Sequence, residues 1–97
     1  MNAQEITQRL QALLPDLRQQ YGVRELWLFG SYVRAEQTAD SDVDILVTFD
    51  NPHLSLIEFI QLEQQLAAAL GIKVDLVEQE MLKPTLGQNI LQEAVAL

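Results

Sequence analysis

Asp42 and Asp44 stand two residues apart in the run Ser41-Asp42-Val43-Asp44-Ile45-Leu46-Val47. If that run is a strand, positions i and i+2 project from one face, and two carboxylates are held side by side. At an effective dielectric of about 20, charges about 5 Å apart repel by roughly 3 kcal/mol, a ceiling that solvent lowers. Protonating one carboxyl relieves the repulsion. A hard divalent cation relieves it better, since Mg²⁺ takes carboxylates together with substrate phosphates. The same pattern also fits two solvated acids at a strand end. Asp75, in Lys73-Val74-Asp75-Leu76-Val77, adds a third carboxylate if its strand lies beside the one carrying Asp44.

Gly30-Ser31 is the second feature with chemical meaning. A glycine that closes an apolar strand lets a ligand approach the backbone. A small hydroxyl residue that then opens a helix offers its own O–H and free N–H groups to an anion. A plain strand-to-helix turn with Ser31 as N-cap is the commoner reading of the pair alone. The spacing joins the two features as Gly-Ser-x10-Asp-x-Asp. An anion cradle then ends one strand and a cation-binding pair begins the next, which are the two halves a nucleoside triphosphate needs.

The elements that must position these residues are legible from periodicity. Ile6, Leu10, Leu13, Leu14, Leu17 and Tyr21 form an apolar stripe at helical spacing over Ala3 to Gln20, closed by Gly22. Pro15 predicts a kink or a break near Leu14, because proline removes a donor and clashes with the preceding turn. Val23 to Phe29 reads as a strand, Tyr32 to Glu36 as a short helix and Gln37 to Ser41 as a polar loop. Val43 to Phe49 is a second strand, followed by a turn at Asp50 to His53. Ser55 and Glu58 have capping-box spacing and open a helix carrying Leu56, Phe59, Ile60, Leu62, Leu66 and Leu70. Ile72 to Val77 is a third strand, with Lys73 and Asp75 opposite its apolar face. Pro84 precedes a last helix over Thr85 to Val95, with Leu86, Ile90, Leu91 and Ala94 as its apolar side. The expected fold is α/β (α+β): a small mixed sheet of about three strands flanked by helices, in one domain over residues 1–97.

Bulk properties narrow the function classes. At 97 residues, 48% hydrophobic and 21% charged, the chain has ordinary globular composition for a single small domain. It lacks cysteine, which excludes disulfides and thiolate metal sites. It shows no signal-peptide pattern and no apolar run of about 18 residues, so a soluble, cytoplasmic protein without membrane contact is expected. The formal charge of −8, with six scattered basic residues, argues against direct binding of long nucleic acid. A phosphate-handling chain this acidic must take its cations from a metal or a basic partner. His53, the single histidine, lies in a turn and reads as a solvated loop residue. Trp27, Phe29 and Tyr32 read as packing residues, and Lys73 as an ion-pair partner.

Taken together, Leu28-Phe29-Gly30-Ser31-Tyr32-Val33-Arg34 and Ser41 to Val47 resemble the signature of the DNA polymerase β-like nucleotidyltransferase superfamily. The short length and Lys73 to Val77 resemble its minimal nucleotidyltransferase branch, in particular the antitoxins of HEPN/MNT (type VII) toxin–antitoxin pairs. The resemblance extends to the ending Ile90-Leu91-Gln92-Glu93-Ala94-Val95. It implies that Gly30 and Ser31 hold triphosphate oxygens, with Arg34 near the phosphates. It further implies that Asp42, Asp44 and Asp75 ligate Mg²⁺, as two ions about 3.5–4 Å apart that clamp the entering and leaving oxygens. Asp75 would also help activate the attacking hydroxyl. The implied reaction is AMP transfer from ATP to a tyrosine of a partner HEPN RNase toxin, which inactivates it. Family members commonly have Arg-Gly where this chain has Arg34-Ala35. A small-molecule nucleotidyltransferase is the alternative within the chemistry, although 97 residues leave no acceptor-binding domain. A non-catalytic antitoxin that neutralises by contact is the alternative outside it.

Overall fold

The computed structural model describes all 97 residues. The first helix, α1 (Ala3–Tyr21), is capped at both ends: the Asn2 side chain accepts from the Glu5 N–H, and Gly22 closes it with φ 70°. Its buried residues Ile6, Leu10, Leu14, Leu17 and Tyr21 are the expected stripe, each contributing roughly 1.5–3 kcal/mol by burial. The break expected at Pro15 does not occur, and α1 is one element. Pro15 lies on the exposed side, where a carbonyl that loses its helical donor can bond water instead.

The chain then forms β1 (Val23–Phe29), β2 (Val43–Phe49), α2 (Leu56–Leu70) and β3 (Val74–Glu78). A 3₁₀ turn (Gln79–Met81), α3 (Pro84–Glu93) and β4 (Val95–Ala96) complete it. The sheet order is β3-β2-β1-β4. β1 runs antiparallel to β2 and to β4, and β2 runs parallel to β3. The sheet is therefore mixed, as expected, but has four strands. The last helix stops at Glu93 rather than Val95, because Val95 and Ala96 pair with Leu28 and Trp27. β3 begins at Val74 rather than Ile72, although the Lys73 carbonyl still accepts from the Val43 N–H at 2.9 Å.

One face of the sheet carries the main core. An irregularity in β1 between Val23 and Glu25 shifts the register, so Val23, Leu26 and Leu28 all point into it. Val43, Ile45, Val47, Val74 and Leu76 meet them there, under α1 and under Leu62, Leu66 and Leu70 of α2. Leu46 is fully buried on the opposite face, against which α3 and the 3₁₀ turn pack. The α2 helix has the expected capping box, but Leu56 and Ile60 are exposed rather than packed. In α3, Gly87 is the buried residue and Leu86 is exposed. The outer edge of β3 is closed by a side chain: Leu76 N–H donates to Glu63 Oε2 at 2.9 Å.

Candidate functional site

Asp44 and Asp75 pair where β1, β2 and β3 lie side by side, with Asp42 close by. Asp44 is the second residue of β2; in the ladder its neighbours are Phe29 of β1 and Asp75 of β3. Adjacent strands lie about 4.8 Å apart, so Asp44 and Asp75 are direct neighbours on one face. Asp42 lies just before β2 and two residues from Asp44. Gly30 follows Phe29 and has φ 81°. A Cβ at this position would run into the Asp44 carboxylate. The two halves of the sequence pattern are thus in contact: the glycine is needed because the aspartate lies over its backbone.

The stretch after Gly30 is a single turn, not the short helix expected over Tyr32 to Glu36. The Val33 and Arg34 N–H groups both donate to the Gly30 carbonyl, at 3.1 and 3.2 Å. Glu36 N–H then donates to Ser31 O at 2.9 Å, and Ala35 N–H to Tyr32 O at 3.4 Å. Those two bonds are the closing pair of a Schellman motif, which places Ala35 in the left-handed position with φ 57°. One turn carries little helix dipole. The anion-binding capacity lies instead in the Ser31 and Tyr32 N–H groups, which donate to no backbone carbonyl. The Tyr32 ring itself is buried in the core.

Charge is unevenly matched around this turn. Burial raises the Asp44 carboxyl above the ordinary carboxylate range, and Asp75 and then Asp42 push it further; Arg34 opposes them. Arg34 Nε donates to Glu36 Oε2 at 3.1 Å, and its Nη1 donates to Glu93 Oε1 at 2.6 Å. These two carboxylates hold the guanidinium charged. Lys73 faces Asp42 rather than Asp75, with Nζ 3.9 Å from Asp42 Oδ2. Glu36 and Glu93 were not singled out by sequence reasoning. Glu93 did carry a signal, because an acid at the C-terminal end of a helix opposes the macrodipole and needs a nearby cation.

No three Asp, Glu or His side chains already close on one point as metal ligands. Asp42, Asp44 and Asp75 nevertheless supply the hard oxygen donors that Mg²⁺ takes, and the burial of Asp44 beside Asp75 and Asp42 disfavours a charge that a cation would stabilise. Beside Asp42 opens a cleft of about 710 Å³, lined in part by Tyr32, Gln37, Ser41 and Lys73. That volume is within the range of small-molecule sites. A cleft of about 830 Å³ lies at the other end of the sheet, away from the carboxylates.

The profile of the nucleotidyltransferase domain family matches residues 10–97. The chain is 47% identical over 95 residues to protein adenylyltransferase MntA of Thermococcus cleftensis, covering 98% of this chain and 95% of that protein. A structure described as a minimal nucleotidyltransferase superposes with a TM-score of 0.84 at 34% identity, over 100% of this chain and 97% of the other. The chain is also similar to a structure of a tri-AMPylated Shewanella oneidensis HEPN toxin in complex with MNT antitoxin. There the TM-score is 0.68 at 27% identity, over 94% of this chain and 70% of that chain. No helix is long and apolar enough to cross a membrane.

Proposed function

The chain belongs to the nucleotidyltransferase domain family, and on that premise we propose that it is a protein adenylyltransferase acting as an antitoxin. It moves AMP from ATP to a tyrosine hydroxyl of a HEPN-domain RNase and so silences the RNase. The carrying observation is the packing of Gly30 beneath the Asp44 carboxylate with Asp75 as its neighbour across the β2–β3 ladder. The nearness of the Gly30–Ser31 turn to the Asp44–Asp75 pair supports a triphosphate and its cation at one spot.

The Ser31 hydroxyl and the free N–H groups of Ser31 and Tyr32 bind triphosphate oxygens, and Arg34 offers its remaining N–H donors to the same phosphates. Asp42, Asp44 and Asp75 would hold Mg²⁺, which would supply neutralisation of the charge that develops at the α-phosphorus. The tyrosine oxygen attacks the α-phosphorus; a P–O bond forms to tyrosine and the P–O bond to pyrophosphate breaks. Asp75, exposed beside Asp44, accepts the hydroxyl proton. Pyrophosphate leaves along the Ser31 turn. The chain's charge of −8 suits a basic RNase partner. The similarity to an adenylyltransferase and to an antitoxin in complex with an AMPylated HEPN toxin supports this reading.

The test is intact mass spectrometry of the HEPN-domain partner after incubation with this chain, ATP and Mg²⁺. One or more AMP increments are expected, absent with Asp42→Ala/Asp44→Ala and absent after chelation. Replacing the partner's tyrosines by phenylalanine locates the acceptor. An unmodified partner, or modification by the double variant, sinks the proposal.

A further inference from the structure

The cleft at the far end of the sheet has features the reaction does not use. Its floor is apolar, formed in part by Phe49, Phe59, Leu76 and Val77. Its mouth carries Leu56 at 74% and Met81 at 80% exposure, with Ile57 at 70% nearby on the first turn of α2. Large apolar side chains this exposed, gathered at one opening, mark an interaction surface rather than scatter. Both sides of the mouth belong to regular elements: Leu56 begins a capped helix and Met81 ends the 3₁₀ turn.

The rim gives the sign of the partner. Asp50, Glu78 and Glu80 line the cleft. The lining cation, Arg24, is already tied to Asp50 at 2.8 Å. An apolar floor under an unmatched acidic rim fits an amphipathic segment with apolar anchors and flanking Lys or Arg. A second copy of this chain fits poorly, because it brings a charge of −8 against the same acids. Phe49 lies five residues along β2 from Asp44, about 17 Å at about 3.4 Å per residue. On the β3 side the lining comes closer, since Leu76 and Val77 follow Asp75 directly, so it is the Phe49 end of the cleft that is remote from the reacting atoms.

We propose that this cleft is the docking site for a basic amphipathic segment of the acceptor protein, separate from the site of transfer. The inference rests on the reading of the chain as a protein adenylyltransferase, and docking supplies affinity for the acceptor without contacting ATP. The test measures binding of the HEPN-domain acceptor by calorimetry without nucleotide, and then transfer kinetics with ATP and Mg²⁺. Leu56→Asp/Met81→Asp is expected to weaken binding at least tenfold and to raise the acceptor KM equally. Its kcat at saturating acceptor and its ATP KM stay within about twofold of wild type. Glu78→Lys/Glu80→Lys is expected to weaken binding and flatten its salt dependence. Both pairs are exposed or near the surface, and an unchanged melting temperature confirms folding. Wild-type affinity in both variants overturns the proposal. So does a fall in kcat at unchanged acceptor KM, or a wild-type dimer that Leu56→Asp/Met81→Asp dissociates. Wild-type protein that binds the acceptor yet transfers no AMP sinks the proposed function while the binding comparison still decides the docking site.

Discussion

Arg34 Nη1 donates to Glu93 Oε1 at 2.6 Å, joining the turn after β1 to the last residue of α3. Glu36 takes the Nε–H of the same guanidinium. Two of five N–H donors are thereby used, and three remain for a ligand. Both acceptors are at least partly exposed, so the pairs orient the arginine more than they stabilise the fold. Arg34→Ala is expected to raise the ATP KM on the order of 10- to 100-fold, the scale of a lost charge-assisted contact. Glu93→Gln keeps an acceptor for Nη1 and is expected to stay within about threefold of wild type. Steady-state kinetics over an ATP series checks both, and an unchanged KM in Arg34→Ala removes Arg34 from the phosphate site.

Ala35→Gly should stabilise the protein. Ala35 occupies the left-handed region at φ 57°, which costs an L residue with a Cβ about 1–2 kcal/mol. Glycine removes that cost but loses roughly 0.5–1 kcal/mol to greater freedom in the unfolded chain. The net gain is about 0.5–1 kcal/mol, or a rise of several degrees in melting temperature for a domain of this size. Calorimetry decides; a lower melting temperature shows that the left-handed turn is not retained in solution.

The raised Asp44 carboxyl makes stability pH-dependent in metal-free buffer. A carboxyl whose folded value lies above its unfolded value binds more protons folded than unfolded within that window. Stability is therefore greatest below the unfolded value of about 3.9 and falls as pH rises through the folded value. Asp44→Asn should melt higher than wild type at pH 7, and the difference should vanish near pH 3. Thermal melts in chelator across that range check the sign. An Asp44→Asn variant less stable than wild type at pH 7 would show that ionised Asp44 is a net stabiliser.

Gly30→Ala should be the most damaging single-methyl change in the site. The added Cβ meets the Asp44 carboxylate, and the backbone is left-handed there. Asp44 must swing aside or the turn must move. Transfer activity is expected to fall about 100-fold, in line with the sensitivity of positioned groups to displacements near 1 Å. The chain should still fold, with a loss of about 1–3 kcal/mol by urea titration. Gly30→Ala with wild-type activity removes the contact from the mechanism.

The helices and the first two strands were legible because a period of 3.6 or 2 is written in side-chain type. The position of Asp44 at the start of the second strand, with Asp42 just before it, was legible for the same reason, since Val43, Ile45 and Val47 alternate with it. What the sequence hid were features set by tertiary pairing. Whether Asp75 joins Asp44 depends on β3 lying beside β2, which spacing permitted but did not require. β4 is two residues long, too short for any periodicity, and exists because the β1 edge accepts it. Pro15 misled because local steric rules ignore which side of a helix faces water. The Arg34–Glu93 pair joins residues remote in the chain and leaves no local trace beyond an acid at an unfavourable helix end.

The parallel pairing of β2 with β3 also orders events in time. Gly30 follows β1 and Asp44 lies in β2, and the short-range antiparallel closure of these two strands brings them together. Asp75 reaches Asp44 after α2 has crossed the sheet, a later and slower kind of contact. During synthesis the chain thus forms the Gly30 turn with Asp42 and Asp44 before Asp75 joins them. If the chain transfers AMP as proposed, it stays inert toward ATP until its final third has folded, and competence arrives together with the 3₁₀ turn whose Met81 borders the proposed docking cleft.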